Sequence, residues 1–329
     1  MKKFILFLFA VTIISCSSDD NEKYISYTKV STITTGLFNP QFEYPTGLTI
    51  DLNGNIYVAG YQSSLIKKID KNGVIKNFAG SGKNEDIDGP GKDAGFTVIT
   101  ALASDSKGNL YVAGADNNTL RKVTPEGLVT TISEIPHGAL GVYVDKKDNV
   151  YVSNGGSIIK FPPMGEARVL AGNINEWAAS LDGTGGNARF WAVSLMAMDS
   201  KGNLFAKENT NSETLRKITP AGVVTSFKIT VKSNGTSVPY LDLDDIQGIC
   251  IDKNDNMYLS TVDNNILQVT PDGQGQFLFE KEERPLGYKD GSINEALTHG
   301  IGHITFDENE NLIIIENAKN GINVRKLSK

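Results

Sequence analysis

Asp105-Ser-Lys-Gly108-Asn109-Leu-Tyr-Val112 decides the reading of this chain, because the chain writes that pattern six times. The other copies begin at Asp51, Asp145, Asp199, Asp252 and Asp307, each followed four residues later by Asn and then by a short apolar run. The six Asn residues lie 54, 40, 54, 53 and 55 positions apart. A period of this size is the mark of a repeat architecture, in which each unit buries its apolar face against the next.

Working outward from Asp105, residues 101–105 read as a strand and 106–109 as a tight turn whose Gly and Asn accept positive φ. Residues 110–113 are rich in strand formers and give a second strand, 115–119 a polar loop, 120–123 a third strand, 125–127 a turn and 128–132 a fourth strand. Four short antiparallel strands in about 50 residues describe a propeller blade, so the expected fold is all-β, a six-bladed β-propeller with few helices. Ahead of each Asp, one and three residues before it are large apolar groups in most copies, such as Ile50 and Leu48 or Ile251 and Ile249. The positions between are small, such as Gly47, Ala101 and Gly248. With a side-chain period of two, one sheet face is large and the other small, and stacked blades can interdigitate. The sixth copy has only three strands before the chain ends. Residues 28–35 resemble the missing fourth strand, so the N-terminal strand is expected to close the last blade and remove the open sheet edges.

The run Gly-Asn-hydrophobic-Tyr-Val-Ala, followed by Leu-Arg-Lys-Val-Thr-Pro-x-Gly, resembles NHL-repeat β-propellers over residues 28–329. Segments 88–96 and 182–190 resemble the loop between repeats of that family. The Asp that the family carries after Tyr-Val-Ala is replaced here by Gly60, Gly114, Asn154, Glu208, Thr261 and Glu316.

The first residues read as an address. Lys2 and Lys3 precede an apolar run over 4–14, too short to span a bilayer as a helix and suited to a signal peptide. Ile13-Ile-Ser-Cys16 resembles a bacterial lipobox, which implies cleavage before Cys16 and its lipidation. The acidic stretch 17–22 resembles the surface-export signal of Bacteroidetes lipoproteins. The expected organisation is a signal peptide at 1–15, a lipidated Cys16 and acidic tether at 16–27, and the propeller at 28–329. The expected location is the outer membrane, exposed at the cell surface. Loss of Lys2 and Lys3 takes the formal net charge from −6 to −8, which argues against a nucleic-acid partner. Processing leaves one thiol, Cys250, so no intramolecular disulfide forms and packing must supply the stability.

In this topology the fourth-to-first and second-to-third connections share one face, and they vary most. The Asp-x-x-Gly-Asn turns occupy the other face and read as structural. The pairs Lys67-Lys68, Arg121-Lys122, Arg216-Lys217 and Arg325-Lys326 read as groups bonding between blades. Asp-Gly loops at 88, 182 and 290 are expected to crown alternate blades on the variable face, either as arms around a pocket or as turns that pack an aromatic between blades.

Departures from the repeat point to sites. His303 stands where other copies have Gly47, Ala101, Gly141, Leu195 and Gly248, and Lys207-Glu208 replaces an apolar strand end. Tyr61, Asp116, Asn154, Asp263 and Glu316 belong to second-to-third loops, and Trp177, Arg189 and Trp191 flank the lead-in to the fourth repeat. Aromatic faces beside polar groups suit a sugar ring, although each Trp could equally fill space between blades. The leading expectation is a monomeric, non-enzymatic binding platform for a glycan, peptide or partner protein on the variable face, tethered to the membrane by its lipid and needing no cofactor. The alternative is a lactonase-like, metal-dependent lyase or hydrolase. Its zinc or calcium would sit in the central channel on His137, His299 and His303, the last two in the lead-in to the sixth repeat and the first in that of the third.

Overall fold

The computed structural model describes residues 24–37, 45–61, 63–176, 179–209, 214–233, 236–238, 246–279, 285–318 and 321–329. The signal peptide, Cys16, the acidic stretch and Trp177 lie outside them.

Six antiparallel sheets follow one another around a ring. Their inner strands are Pro45–Ile50, Ile99–Ser104, Gly141–Val144, Val193–Met198, Ile246–Ile251 and Ile301–Phe306, and each touches the next, the last returning to the first. The N-terminal strand Lys29–Thr34 pairs antiparallel with the C-terminal strand Gly321–Ser328, so the sixth blade takes its fourth strand from the other end of the chain. Among the described residues there is no α-helix, only two short 3-10 turns, Gly91–Asp93 and Gly185–Asn187.

The recurring Asp builds the turn after each inner strand. Asp105 Oδ1 accepts the N–H groups of Lys107 and Asn109, and Oδ2 accepts the Asn109 amide and the Tyr111 hydroxyl. The same set recurs at Asp51, Asp145 and Asp252. One carboxylate therefore satisfies four donors where the ladder ends, which explains why Asp, Asn and an aromatic recur at this spacing. Neighbouring turns are also joined. Asp148, at φ 60°, accepts the Ser106 N–H at 2.9 Å and hydroxyl at 2.8 Å, and Asp255, at φ 66°, does the same for Ser200. These acidic residues stand where three other copies have Gly and the sixth has Glu310, and backbone strain is exchanged for a link between blades. Replacing Asp148 with Gly relieves the strain and removes both bonds. The expected net loss is about 1 kcal/mol, read as a lower urea midpoint; a rise would mean that the strain outweighs the link.

Small residues on the inner strands let blades approach. A Cβ on Gly47 would lie 2.7 Å from Leu102 Cβ, and one on Gly248 would lie 2.8 Å from the Ile304 nitrogen. The cores sit between consecutive sheets, as where Tyr57 and Ala59 meet Leu102, Leu110 and Val112.

The Asp-Gly loops differ from the expected crown. Gly89–Pro90, Gly183–Thr184 and Gly291–Ser292 run along the outside of blades two, four and six as short fifth strands. They cover an exposed edge, and Phe96 and Phe190 from the same loops are buried between blades. Blade five has an addition the repeat does not announce. Thr230–Ser233 joins its outer edge in parallel and turns back as Thr236–Val238.

Candidate functional site

The buried arginines account for several residues that break the repeat. Arg216 donates to Glu208 at 3.1 Å, to Asp182 at 2.9 Å and to the Arg189 carbonyl, and lies over the Phe190 ring. Arg325 donates to both oxygens of Glu316 at 3.0 Å, to Asp290 and to the Leu297 and Lys289 carbonyls. Arg121 has Gly114 at the position equivalent to Glu208, and there Asp86 of the lead-in loop supplies the carboxylate. Glu208 and Glu316 are thus fully buried counter-ions that tie blade to edge loop. Burial pushes the Glu316 carboxyl up to about 7, against the opposing pull of Arg325.

Other candidates are also engaged within the scaffold. Asn154 is buried, accepting from the Ser157 backbone and hydroxyl and donating to the Pro136 carbonyl. Arg189 donates to Glu176 at 2.6 Å and to the Gly186 and Ala188 carbonyls. Asp263 accepts the Thr261 hydroxyl. Tyr61 and Trp191 stay 42% and 44% exposed on the variable face, enough for an aromatic contact, and Asp116 is exposed on that face too.

The three histidines occupy separate settings. His137 is on an exposed turn at φ 66°, and His299 Nδ1 is 2.8 Å from the Tyr288 hydroxyl. His303 lines the central channel. Among the described residues no group of three His, Cys, Asp or Glu side chains is placed to hold a metal ion.

The channel has a common construction that becomes visible only in three dimensions. Four inner strands carry a β-bulge at one register, where Thr46, Thr100, Ser194 and Gln247 are the extra residues, and the sixth carries one at Gly302-His303. In the third, Leu140 holds the same place, donating to the Ser153 carbonyl. A bulge sets two residues against one and re-aims a side chain, and bulges gather beside functional sites. Here Thr46, Thr100, Ser194 and His303 line a cavity of about 80 Å³ at the variable-face end of the channel, and Leu48, Leu102, Val142, Met196, Ile249 and Ile304 close it below. Gln247 stands exposed at the mouth. Sequence reasoning found His303 and missed the others. The signal existed: five residues before the repeated Asp, four of six copies carry Thr, Ser or Gln.

The hydrogen bonds at this site are partly committed. Thr100 donates among the Ala113 and Ala139 carbonyls. Ser194 donates to Asn209 Oδ1 at 2.8 Å, and Lys207 Nζ, itself buried, reaches the same oxygen at 3.3 Å. The Thr46 hydroxyl is buried without a partner among the described residues. Burial lowers the His303 pKa to about 4, so the ring is neutral at ordinary pH. Its hydrogen bond to the Pro45 backbone must go to the carbonyl, because proline has no N–H. A neutral imidazole that donates with one nitrogen accepts with the other.

Comparison with known proteins agrees with the architecture. The model of a family described as beta-propeller repeat matches residues 44–61, a range that holds the inner strand, the following turn and the second strand of blade one. No curated protein matches the chain. A Bacteroides thetaiotaomicron protein of unknown function superposes with a TM-score of 0.67 at 16% identity, covering 93% of this chain and 76% of that one. A catalytically inactive histidine-to-alanine form of the Staphylococcus aureus virginiamycin B lyase, solved with quinupristin, gives 0.58 at 16% identity over 91% of this chain and 99% of that one. A Xanthomonas campestris gluconolactonase gives 0.62 at 10% identity over 91% and 89%. At these identities the likeness shows a shared β-propeller fold.

Proposed function

We propose that the protein is a rigid, non-enzymatic binding platform whose channel mouth takes an uncharged polar group, as on a glycan, with its NHL-type repeat as the scaffold. The observation that carries this is the set of bulged positions, which brings three hydroxyl groups and a neutral imidazole to one cavity. Among the described residues no Asp, Glu, Lys or Arg lines the cavity, so against these residues a carboxylate, phosphate or ammonium would lose its hydration without gaining a counter-charge. About 80 Å³ admits a substituent rather than a whole ligand. The rest of a ligand would then lie across the face that exposes Trp191 and Tyr61, whose rings suit a sugar. In this reading Cys16 carries the lipid that holds the protein at the outer membrane of a Bacteroidetes-type cell.

Glycan-array screening followed by calorimetry tests the proposal. His303→Ala and Ser194→Ala are each expected to weaken binding about tenfold, the worth of one or two hydrogen bonds, while Leu52→Ala on the opposite face leaves it unchanged. Affinity should also stay flat from pH 8 to about 5.5, because His303 remains neutral there. Unchanged affinity in both mouth variants would remove the channel mouth from consideration.

A second reading, a metal-dependent lyase or hydrolase, is favoured by the neutral His303 in the channel of a fold that a lyase also uses. Under it, His303 would accept a proton, or help hold a zinc ion, through its other ring nitrogen. Stoichiometric metal in the purified protein, lost in His303→Ala, decides for this reading.

A further inference from the structure

We infer that the propeller stands on the membrane by its turn face, with the channel mouth directed away from the lipid. This rests on the reading of Cys16 as the lipidated residue, and three observations support it.

The first is where the N-terminal segment meets the body. Thr28 N–H bonds to the Ser328 carbonyl, at the turn-face end of the last strand. Tyr27 is buried against Tyr258, whose hydroxyl also reaches the turn residue Asp252. Oriented to satisfy both of its groups, the Gln268 amide accepts the Ile25 N–H at 2.9 Å and donates to the Ile25 carbonyl at 3.1 Å. Gln268 is one residue from the turn-face end of its strand, Ile266–Val269. The chain is therefore clamped on the half of the ring that carries the turns. Cys16 precedes Tyr24 by eight residues, which span at most about 29 Å.

The second is charge. The tips of the six Asp turns expose Lys107, Lys146, Lys147 and Lys201, and Lys253 paired with Glu310 at 2.6 Å, beside the exposed Glu308 and the half-buried Asp148 and Asp255, whose carboxylates accept from Ser106 and Ser200. The Asp carboxylates of these turns point back into the backbone. The outer turns of the same face are mixed, with Lys71 set against Glu126, Glu166 and Asp272. The central lysines suit an anionic lipid surface, whose attraction acts within about 10 Å. The third is apolar exposure. Met164 is 88% and Leu52 71% exposed, both at turn tips of this face, where an interfacial position would cover them.

The test uses the full chain purified from bacterial membranes and reconstituted in phosphatidylethanolamine–phosphatidylglycerol vesicles that contain a nitroxide-headgroup lipid. An environment-sensitive dye is placed at Met164→Cys or at Asp116→Cys, on opposite faces; Cys250 is buried and escapes labelling. The expected result is loss of fluorescence at 164 and none at 116, with Lys146→Glu and Lys147→Glu together restoring the signal at 164. The mass of the Cys16 peptide is read on the same sample. Without acylation, the anchor reading fails and the orientation falls with it. With acylation but equal quenching at both sites, or more at 116, the orientation alone is overturned.

Discussion

Arg216→Ala is expected to lower stability by about 3–5 kcal/mol and the melting temperature by about 10 °C. The guanidinium is fully buried and is the counter-ion of Glu208, whose side chain has no exposed surface. Without it, among the described residues Glu208 keeps the Ser180 hydroxyl and the Trp191 N–H, and a buried carboxylate so placed must either ionise without a counter-charge or take up a proton. The Arg189 carbonyl would lose a donor and the Phe190 ring its covering group. Arg325→Ala should cost somewhat less, because Glu316, though equally enclosed, has its carboxyl pushed up to about 7 by burial and is partly protonated at neutral pH. Arg121→Ala should cost less, since its partners Asp86 and Asp88 reach solvent and can rehydrate. Adding Glu208→Met to Arg216→Met should recover much of the loss, because removing both charges also removes the unpaired one. Calorimetric melting of the three single variants checks the ranking. Equal losses at 121 and 216 would mean that the stacking on Phe96 and Phe190, and not the enclosed carboxylate, sets the cost.

That ranking also explains what the sequence could and could not show. The period, the turn chemistry and the closing strand were legible because they depend on local rules: an Asp that satisfies four nearby donors, alternation across a strand, and a count of strands that comes up one short at the end. The residues at 208 and 316 were legible as departures, but their meaning depends on Arg216 and Arg325, which reach them across the sheet. Gly114 could not reveal that Asp86, 28 positions earlier, supplies the missing carboxylate to Arg121. The bulges were hidden for a different reason. A bulge is defined by pairing between two strands, and the inner strand alone does not state which residue is left over. Thr46, Thr100 and Ser194 therefore read as ordinary strand positions until the partner strands fix the register. The parallel strand at Thr230–Ser233 lacks any repeat partner and had no ruler to expose it.

Two buried groups should give this protein an unusually flat stability profile between about pH 4.5 and 7, and separating them should unmask opposite slopes. Burial lowers the His303 pKa from 6.5 to about 4. Its contribution is complete above pH 6.5 and is lost as pH falls, because the unfolded chain takes up a proton that the folded ring refuses. Burial raises Glu316 from 4.5 to about 7, despite Arg325. Its contribution is complete below pH 4.5 and is lost as pH rises through 7, because the folded carboxyl holds a proton that the unfolded chain has released. Each shift corresponds to about 3 kcal/mol, and in the shared window the two have opposite sign. His303→Gln should therefore gain stability on going from pH 7 to 5, and Glu316→Gln should lose it, while the unaltered protein changes little. Asp88, Asp182 and Asp290 are held below the usual carboxylate range by the hydrogen bonds and arginines that oppose their burial. Their effect therefore falls at the acid end and leaves this window clear. Urea midpoints at pH 5, 6, 7 and 8 for the three proteins decide the matter. The slope is the readout, since any fixed cost of either substitution is the same at every pH. Parallel profiles would show that neither group is ionised differently in the folded and unfolded chains. The neutral imidazole at the channel mouth, on which uncharged-ligand recognition depends, would then lose its support.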